Sequence, residues 1–239
     1  RRGELSADTR AAFENMWAAQ FTSGDKKGAW PWLQFNNEPW EANDSAYYGA
    51  ALAAVAVGAA PGNYRSMPGI QPNVKLLGEY LVGASAAQTP LNRVVLLWAS
   101  AKLPGLLTPE RQESIIQEAL AKQQADGGWS LASLVGDWKR HDGTPQETKS
   151  DGYATGLASL ALEEAGVPRG NVHLKRGLAW LASHQSPADG RWSSSSLNKQ
   201  RDASTYIGRF MSDAATAYAV LALTETSSPA TSARASASR

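Results

Sequence analysis

Apolar residues recur every three or four positions along most of this chain, which is the spacing of one face of an α-helix. The spacing predicts two-faced helices after Ser6, over residues 72–84, after Thr108 and over residues 174–184. Each of them is followed by a helix that is small or apolar on nearly every side, which is typical of a buried helix. The pattern therefore predicts eight helices in four pairs.

The buried helices are predicted over 45–57, 91–102, 151–165 and 212–223. The repeat of about 40–65 residues indicates stacked units, and no alternating stretch predicts a sheet. We therefore expect an all-α fold, an α/α toroid of about four helix pairs with the apolar helices inside. Residues 1–226 would form it, followed by a Ser/Ala-rich tail at 227–239. The ring is expected to be incomplete, with residues upstream of Arg1 or another chain closing the gap.

Composition narrows the classes of partner. The 239 residues include 23 Lys and Arg against 22 Asp and Glu, and no basic cluster stands out, which argues against a nucleic-acid surface. Cysteine is absent, so a thiolate metal site is excluded within this sequence. The longest apolar run, about residues 49–60, is too short to span a bilayer.

A short motif recurs where the two-faced helices end. It reads Gln-x-x-x-Gly-x-Trp at residues 123–129, recurs with one extra residue at 185–192 and is stretched at 20–30. A glutamine amide can satisfy the backbone groups that a helix end leaves unpaired, and an indole can cover them. We therefore interpret Gln123, Gly127, Trp129, Gln185, Gly190 and Trp192 as structural residues.

This motif resembles the QW repeat of squalene–hopene cyclases and protein prenyltransferases, whose α/α-toroid fold the resemblance implies for nearly the whole chain. Residues 144–162 and 208–223 are similar to a bacterial squalene-cyclase-like subgroup of unassigned activity. Some members of that subgroup carry an export signal and an upstream c-type haem motif. The resemblance thus implies a periplasmic or exported protein, with haem possible only upstream of Arg1 and no cofactor in this chain.

Two family activities do not transfer to these residues. The Asp-x-Asp-Asp motif with which cyclases protonate their substrate does not occur, and the zinc-binding cysteine of prenyltransferases is missing. None of the three histidines has metal-ligand spacing with another, so no metal site is predicted.

Polar residues are expected at the starts of all four buried helices: Asp44, Asn92, Asp151 and Asp213. They are interpreted as N-caps, or alternatively as a ring of carboxylates at one mouth of the toroid. Helix N-termini lower carboxylate pKa values, which disfavours these aspartates as proton donors.

Long loops precede three of these positions and should gather on one face, where aromatic and charged side chains suit a binding site. Salt bridges between loops are the alternative interpretation. Tyr153 and other tyrosines of the buried helices are expected either to face the centre or to be plain core. The candidate binding residues are Trp30, Trp32, Glu38, Trp40, Asp44, Trp138, Lys139, Arg140, Asp142, Asp151, Tyr153, Asn198, Lys199, Arg201, Arg209 and Asp213.

The functional hypothesis is a binding or scaffold module that holds an apolar or isoprenoid ligand, or a protein segment that closes the ring. One alternative is an enzyme acting on an isoprenoid, in which Asp142, Asp151 and Glu38 would be the acids to test. A second alternative is the toroid part of an exported c-type cytochrome-like electron-transfer protein.

Overall fold

The structure is a computed structural model that describes residues 3–35, 40, 45–202 and 204–224. These residues fold entirely as α-helices, short 3₁₀ turns and loops, which confirms the all-α class. The α-helices of the described residues are α1 (Ala7–Ala18), α2 (Ala46–Ala59), α3 (Gln71–Ala84), α4 (Pro90–Lys102), α5 (Pro109–Ala121), α6 (Leu131–Val135), α7 (Gly152–Glu164), α8 (Val172–Ser183) and α9 (Tyr206–Thr224).

The apolar helices pack in chain order: α2 contacts α4, α4 contacts α7, and α7 contacts α9. The two-faced helices α3, α5 and α8 pack against α2, α4 and α7 in turn. Small residues allow close approach within the inner layer. A Cβ added to Gly156 of α7 would lie 2.8 Å from the backbone nitrogen of Ala219 in α9. One continuous core therefore runs through the inner helices and the buried faces of the outer helices.

Helix α1 attaches through a small separate core. Phe13 is buried against Val57 of α2 and stacks on Tyr64, with ring centroids 4.6 Å apart. Ser6 and Thr108 are the N-caps of α1 and α5, since each hydroxyl accepts a backbone N–H of its helix.

The start of α4 differs from the prediction. Thr89 is the N-cap and Pro90 the first helical residue, so Asn92 lies within the first turn and caps nothing. Thr89 is the N-cap because its hydroxyl accepts the N–H of Asn92 and because the ring of Pro90 fixes the φ angle that the first helical position requires.

The last helix was also placed wrongly. It was expected to open at Ser212–Asp213, but α9 begins at Tyr206, so Asp213 lies inside the helix and is not its N-cap. Ile207, Phe210 and Met211 continue the helical spacing toward the N-terminus, which is why the helix extends there. A short helix within the predicted polar loop, α6, was not foreseen; it buries Leu131, Leu134 and Val135.

Some predictions fall on residues outside those described. Glu38, Asp44 and the tail at 227–239 belong to this group. Over the described ranges, none of the helices is both long and apolar enough to cross a membrane.

Candidate functional site

Three Gln–Gly–Trp units form one recurring contact, which we name a clasp. The first clasp is Gln20, Gly28 and Trp30; the second is Gln123, Gly127 and Trp129; the third is Gln185, Gly190 and Trp192. In each, the glutamine Nε2 donates to the glycine carbonyl, over 3.0, 2.8 and 2.8 Å in chain order. In each, the indole Nε1 donates to the carbonyl four residues before the glutamine, namely Met16, Ala119 and Leu181. The three tryptophans are buried.

The first two clasps also bind the next outer helix. Gln20 donates to the carbonyl of Asn73 on α3 at 3.1 Å and accepts its amide at 2.8 Å. Gln123 donates to the carbonyl of His173 on α8 at 2.7 Å, and its Oε1 lies 2.7 Å from the ring Nδ1. The clasps therefore tie consecutive helix pairs together, which supports the structural interpretation of these residues.

The third clasp makes no described contact with a further outer helix. Gln185 is exposed, and its one described hydrogen bond is the one to Gly190. A Cβ on Gly28 would lie 2.1 Å from the Leu76 carbonyl of α3, whereas a Cβ on Gly190 would meet nothing nearer than the Gln185 side chain at 3.6 Å. Within the described ranges, no outer helix covers this third unit.

A cleft of about 620 Å³ opens between α2 and α9 and is floored in part by α7. Seven of its fifteen described lining residues are aromatic, and they come from the loop between α1 and α2 and from all three helices. They are Trp32, Trp40, Tyr48, Tyr153, Tyr206, Phe210 and Tyr218. The mouth is unusually apolar, since Tyr206 is 92% exposed and Phe210 is 64% exposed. An exposed apolar group beside a cavity is a feature of ligand-binding surfaces.

Two loop tryptophans enter this cleft because the chain makes room for them. The indole of Trp32 packs on Gly49 of α2, where a Cβ would come within 2.3 Å of the ring, and its Nε1 donates to the carbonyl of Trp40 at 2.5 Å. The ring of Trp40 meets Tyr153 of α7 edge-on, with centroids 5.6 Å apart. The structure thus brings together three of the candidate binding residues, Trp32, Trp40 and Tyr153.

The charged and polar candidates Asn198, Arg201 and Asp213 also line the cleft. Asp213 is an exposed residue of α9 and pairs with Arg191 at 3.4 Å. Lys139, Lys199 and Arg209 are exposed elsewhere. The cleft therefore gathers candidate residues from the loop before α2, from the loop before α9 and from α9 itself.

The loop between α6 and α7 supports the loop between α8 and α9. Arg140 is buried, and it donates from Nε to the Ser196 carbonyl at 3.1 Å and from Nη1 to the Pro145 carbonyl at 2.6 Å. Asp142 accepts the backbone N–H of Gln200 at 2.8 Å. Hydrogen bonds to backbone groups join these two loops.

The remaining aromatic candidates pack in or against the core. Trp30 is the indole of the first clasp, and Trp138 is half-buried against the main core. Neither lines the cleft, so both positions fit a packing role.

Asp151 does cap its helix, as predicted, and it also joins two clasp regions. Oδ1 accepts the N–H of Ala154 at 3.0 Å and the hydroxyl of Ser194 at 3.0 Å, while Oδ2 accepts the N–H of Leu131 at 2.7 Å. Burial raises the pKa of Asp151 to about 6, against the lowering effect of these donors. The expectation of a lowered pKa was therefore wrong for Asp151, because desolvation outweighs the helix terminus.

The two aspartates proposed as acids do not reach the cleft. Asp142 and Asp151 are absent from its described lining, and hydrogen bonds from Thr144 lower the pKa of Asp142. Among the described lining residues, Asp213 is the carboxylate. In the part of the chain that the structure covers, no group of three or more acidic and histidine side chains is placed to hold a metal ion.

Sequence reasoning missed the wall formed by Tyr206, Ile207 and Phe210. It assigned these residues to a polar loop, although their helical spacing was a usable signal. Comparisons add no family to this geometry: no protein-family model matches the chain, and no curated protein matches it.

Proposed function

We propose that this protein is a binding module that holds an apolar small molecule in the cleft between α2 and α9. The observation that carries the proposal is a cavity of about 620 Å³ with seven aromatic side chains around it. Sites for small organic ligands are commonly about 300–1,000 Å³ and mainly apolar, with a few polar groups. Both the size and the lining support such a ligand.

The energetics of the cleft mouth support the same function. Tyr206, Ile207 and Phe210 are each more than half exposed. Fully burying an apolar side chain of this size contributes about 1.5–3 kcal/mol, so a ligand that covers three of them gains several kcal/mol. Part of that gain offsets the loss of ligand freedom.

We further propose that the four inner helices belong to an incomplete α/α toroid of the squalene-cyclase-like kind. The contact order α2–α4–α7–α9 and the clasps between consecutive outer helices support this arrangement. In it, the cleft occupies the gap of the ring, and an isoprenoid is one ligand that its aromatic wall would suit.

The test uses N-phenyl-1-naphthylamine, an uncharged fluorophore that brightens in apolar surroundings. Wild-type protein should bind it saturably at one site. Phe210→Asp places a charge in the cleft wall and should weaken binding about tenfold or more. Phe35→Asp is the matched control, because Phe35 is 65% exposed, like Phe210, but does not line the cleft.

Equal weakening by both substitutions, or unchanged binding in Phe210→Asp, would contradict this proposal. Circular dichroism of both variants checks that neither has unfolded. Displacement of the fluorophore by farnesol would then test whether the isoprenoid class fits.

A second candidate role, docking of a protein segment, is favoured by the open third clasp. Because the first two clasps each hold the first turn of an outer helix, the partner would be a helix start with a polar residue at its second or third position. Such a segment would close the ring. Nuclear magnetic resonance of the Gln185 side-chain amide, with a peptide of the α3 sequence 70–84 as probe, tests this. A shift with this peptide and none with a scrambled one is expected; no shift at millimolar peptide contradicts the role.

A further inference from the structure

Three tyrosines from three different helices meet at the cleft, and we name them the tyrosine cluster: Tyr48 of α2, Tyr153 of α7 and Tyr218 of α9. All three line the cavity. The hydroxyl oxygens of Tyr48 and Tyr153 are 3.2 Å apart and hydrogen-bonded. The rings of Tyr153 and Tyr218 meet edge-on, with centroids 5.1 Å apart. The cluster is therefore a polar spot within an otherwise aromatic wall.

The hydrogen-bonding capacity of the cluster exceeds what its members use on one another. Each tyrosine hydroxyl donates once and can accept at two lone pairs. Even if every O–H of the three pointed at a neighbour within the cluster, half of the lone pairs would remain free to accept. If the cluster forms an open chain instead, one O–H also remains free to donate. A ligand hydroxyl can therefore donate to the cluster without breaking the fold, and a ligand hydroxyl or carbonyl oxygen can accept the O–H that an open chain leaves free.

Tyr153 and Tyr218 present uncharged hydroxyls at neutral pH. Burial raises the pKa of Tyr153 and of Tyr218 well above the ordinary value, and the neighbouring Tyr48 adds to both shifts. The charged residues of the described lining are Arg201 and Asp213, and no described contact joins either of them to the cluster. A carboxylate or phosphate placed at the cluster would thus lose its hydration without gaining a cation.

We propose that the cleft selects ligands that carry one uncharged hydroxyl or carbonyl oxygen, which hydrogen-bonds to the tyrosine cluster while the apolar body lies against the aromatic wall. The inference rests on the proposed function and names the chemical class of its ligand: apolar alcohols, phenols and ketones rather than hydrocarbons or acids.

The test compares three probes that share one skeleton: 2-naphthol, naphthalene and 2-naphthoate. A neutral hydrogen bond within a partly buried site corresponds to about a fivefold to tenfold gain in affinity. We therefore expect 2-naphthol to bind about five to ten times more tightly than naphthalene at pH 7, with 2-naphthoate the weakest. Competition against N-phenyl-1-naphthylamine measures all three.

Tyr153→Phe should abolish the advantage of 2-naphthol over naphthalene and leave the affinity for naphthalene within about twofold. The naphthalene affinity reports that the cleft is intact, so a misfolded variant is recognised. Tyr80→Phe is the matched control, since Tyr80 belongs to α3 and does not line the cleft. It should keep the full advantage.

The outcomes separate the two proposals. Equal binding of 2-naphthol and naphthalene to the wild type overturns the role of the tyrosine cluster and leaves apolar binding standing. Tightest binding of 2-naphthoate indicates an anion site at Arg201 and also overturns the inference. Failure of all three probes to displace N-phenyl-1-naphthylamine overturns the inference alone, whereas failure of N-phenyl-1-naphthylamine itself to bind overturns both proposals.

Discussion

The clasps lead to a quantitative prediction about stability, because the same side chain has different partners in different copies. Gln20, Gln123 and Gln185 each stand two residues beyond the last residue of their helix. Gln123→Ala removes hydrogen bonds to Gly127 and to two atoms of His173, all at 2.7–2.8 Å. Gln185→Ala removes one hydrogen bond from an exposed side chain. The comparison isolates the contact with the next helix.

The magnitudes follow from ordinary hydrogen-bond energies. Each hydrogen bond contributes about 0.5–1.5 kcal/mol, and the substitution also leaves the buried Gly127 carbonyl unpaired. Gln123→Ala should therefore lower the free energy of unfolding by about 2–4 kcal/mol. Gln20→Ala should cost a similar amount, because Gln20 makes the matching contacts with Asn73. Gln185→Ala should cost less than about 1 kcal/mol, since water replaces its one bond.

Urea unfolding monitored by tryptophan fluorescence measures these differences, and a thermal scan checks them. For a chain of this size about 1 kcal/mol corresponds to roughly 2–4 °C in Tm, so Gln123→Ala should lower Tm by roughly 5–15 °C. Equal losses for Gln123→Ala and Gln185→Ala, or a larger loss for Gln185→Ala, would refute the idea that clasps stabilise the protein by joining helix pairs.

Three further predictions concern the same framework. Gly28→Ala should lower the free energy of unfolding by about 3 kcal/mol or more, because the added Cβ would clash with the backbone of α3. Gly190→Ala should lower it by about 1 kcal/mol, because only the positive φ of Gly190 is strained. Urea unfolding midpoints measure both, and equal losses would contradict the prediction. Asp151 has a folded pKa of about 6 against an ordinary 3.8, so between these two pH values the folded form holds a proton that the unfolded chain has released. The free energy of unfolding of the wild type minus that of Asp151→Asn should therefore fall by about 2 kcal/mol from pH 4 to pH 7, and a flat difference would refute the shift. Arg140→Ala should loosen the loop at Ser196, seen as faster limited proteolysis near residue 196, and an unchanged cleavage rate would contradict the support role.

The sequence pattern predicted the helices and the clasps because both depend on local spacing. The indole of Trp129 and the amide of Gln123 act within one helix end, so their motif was sufficient to predict their role. Their partner His173 lies 50 residues away, and no local pattern connects it to Gln123. The bridging half of the first two clasps therefore required the tertiary structure.

The candidate site was predicted in part. The sequence predicts that loop tryptophans gather on one face, and Trp32 and Trp40 do lie in one cleft, but it leaves open whether Tyr153 faces a cavity or is plain core. Arg140 was expected among the binding residues, but it is buried and satisfied by backbone carbonyls. A sequence shows a positive charge but not which carbonyls surround it, so the supporting role was hidden.

Two errors have clear physical origins. The residues before Ser212 follow a polar stretch, which concealed the helical spacing of Ile207 and Phe210 and thus one wall of the cleft. For Asp151, the helix N-terminus argued for a lowered pKa, but the burial that opposes it depends on how neighbouring loops cover the carboxylate. Spacing along the chain does not report that coverage.

The location of a bound ligand tests the central claim most directly. A crystal structure of the protein grown with 2-naphthol should show the naphthyl ring between α2 and α9, against Phe210, with its oxygen within hydrogen-bond distance of Tyr153. Electron density for the ligand at another surface, or an unoccupied cleft at saturating 2-naphthol, would contradict the claim that this cleft is the binding site.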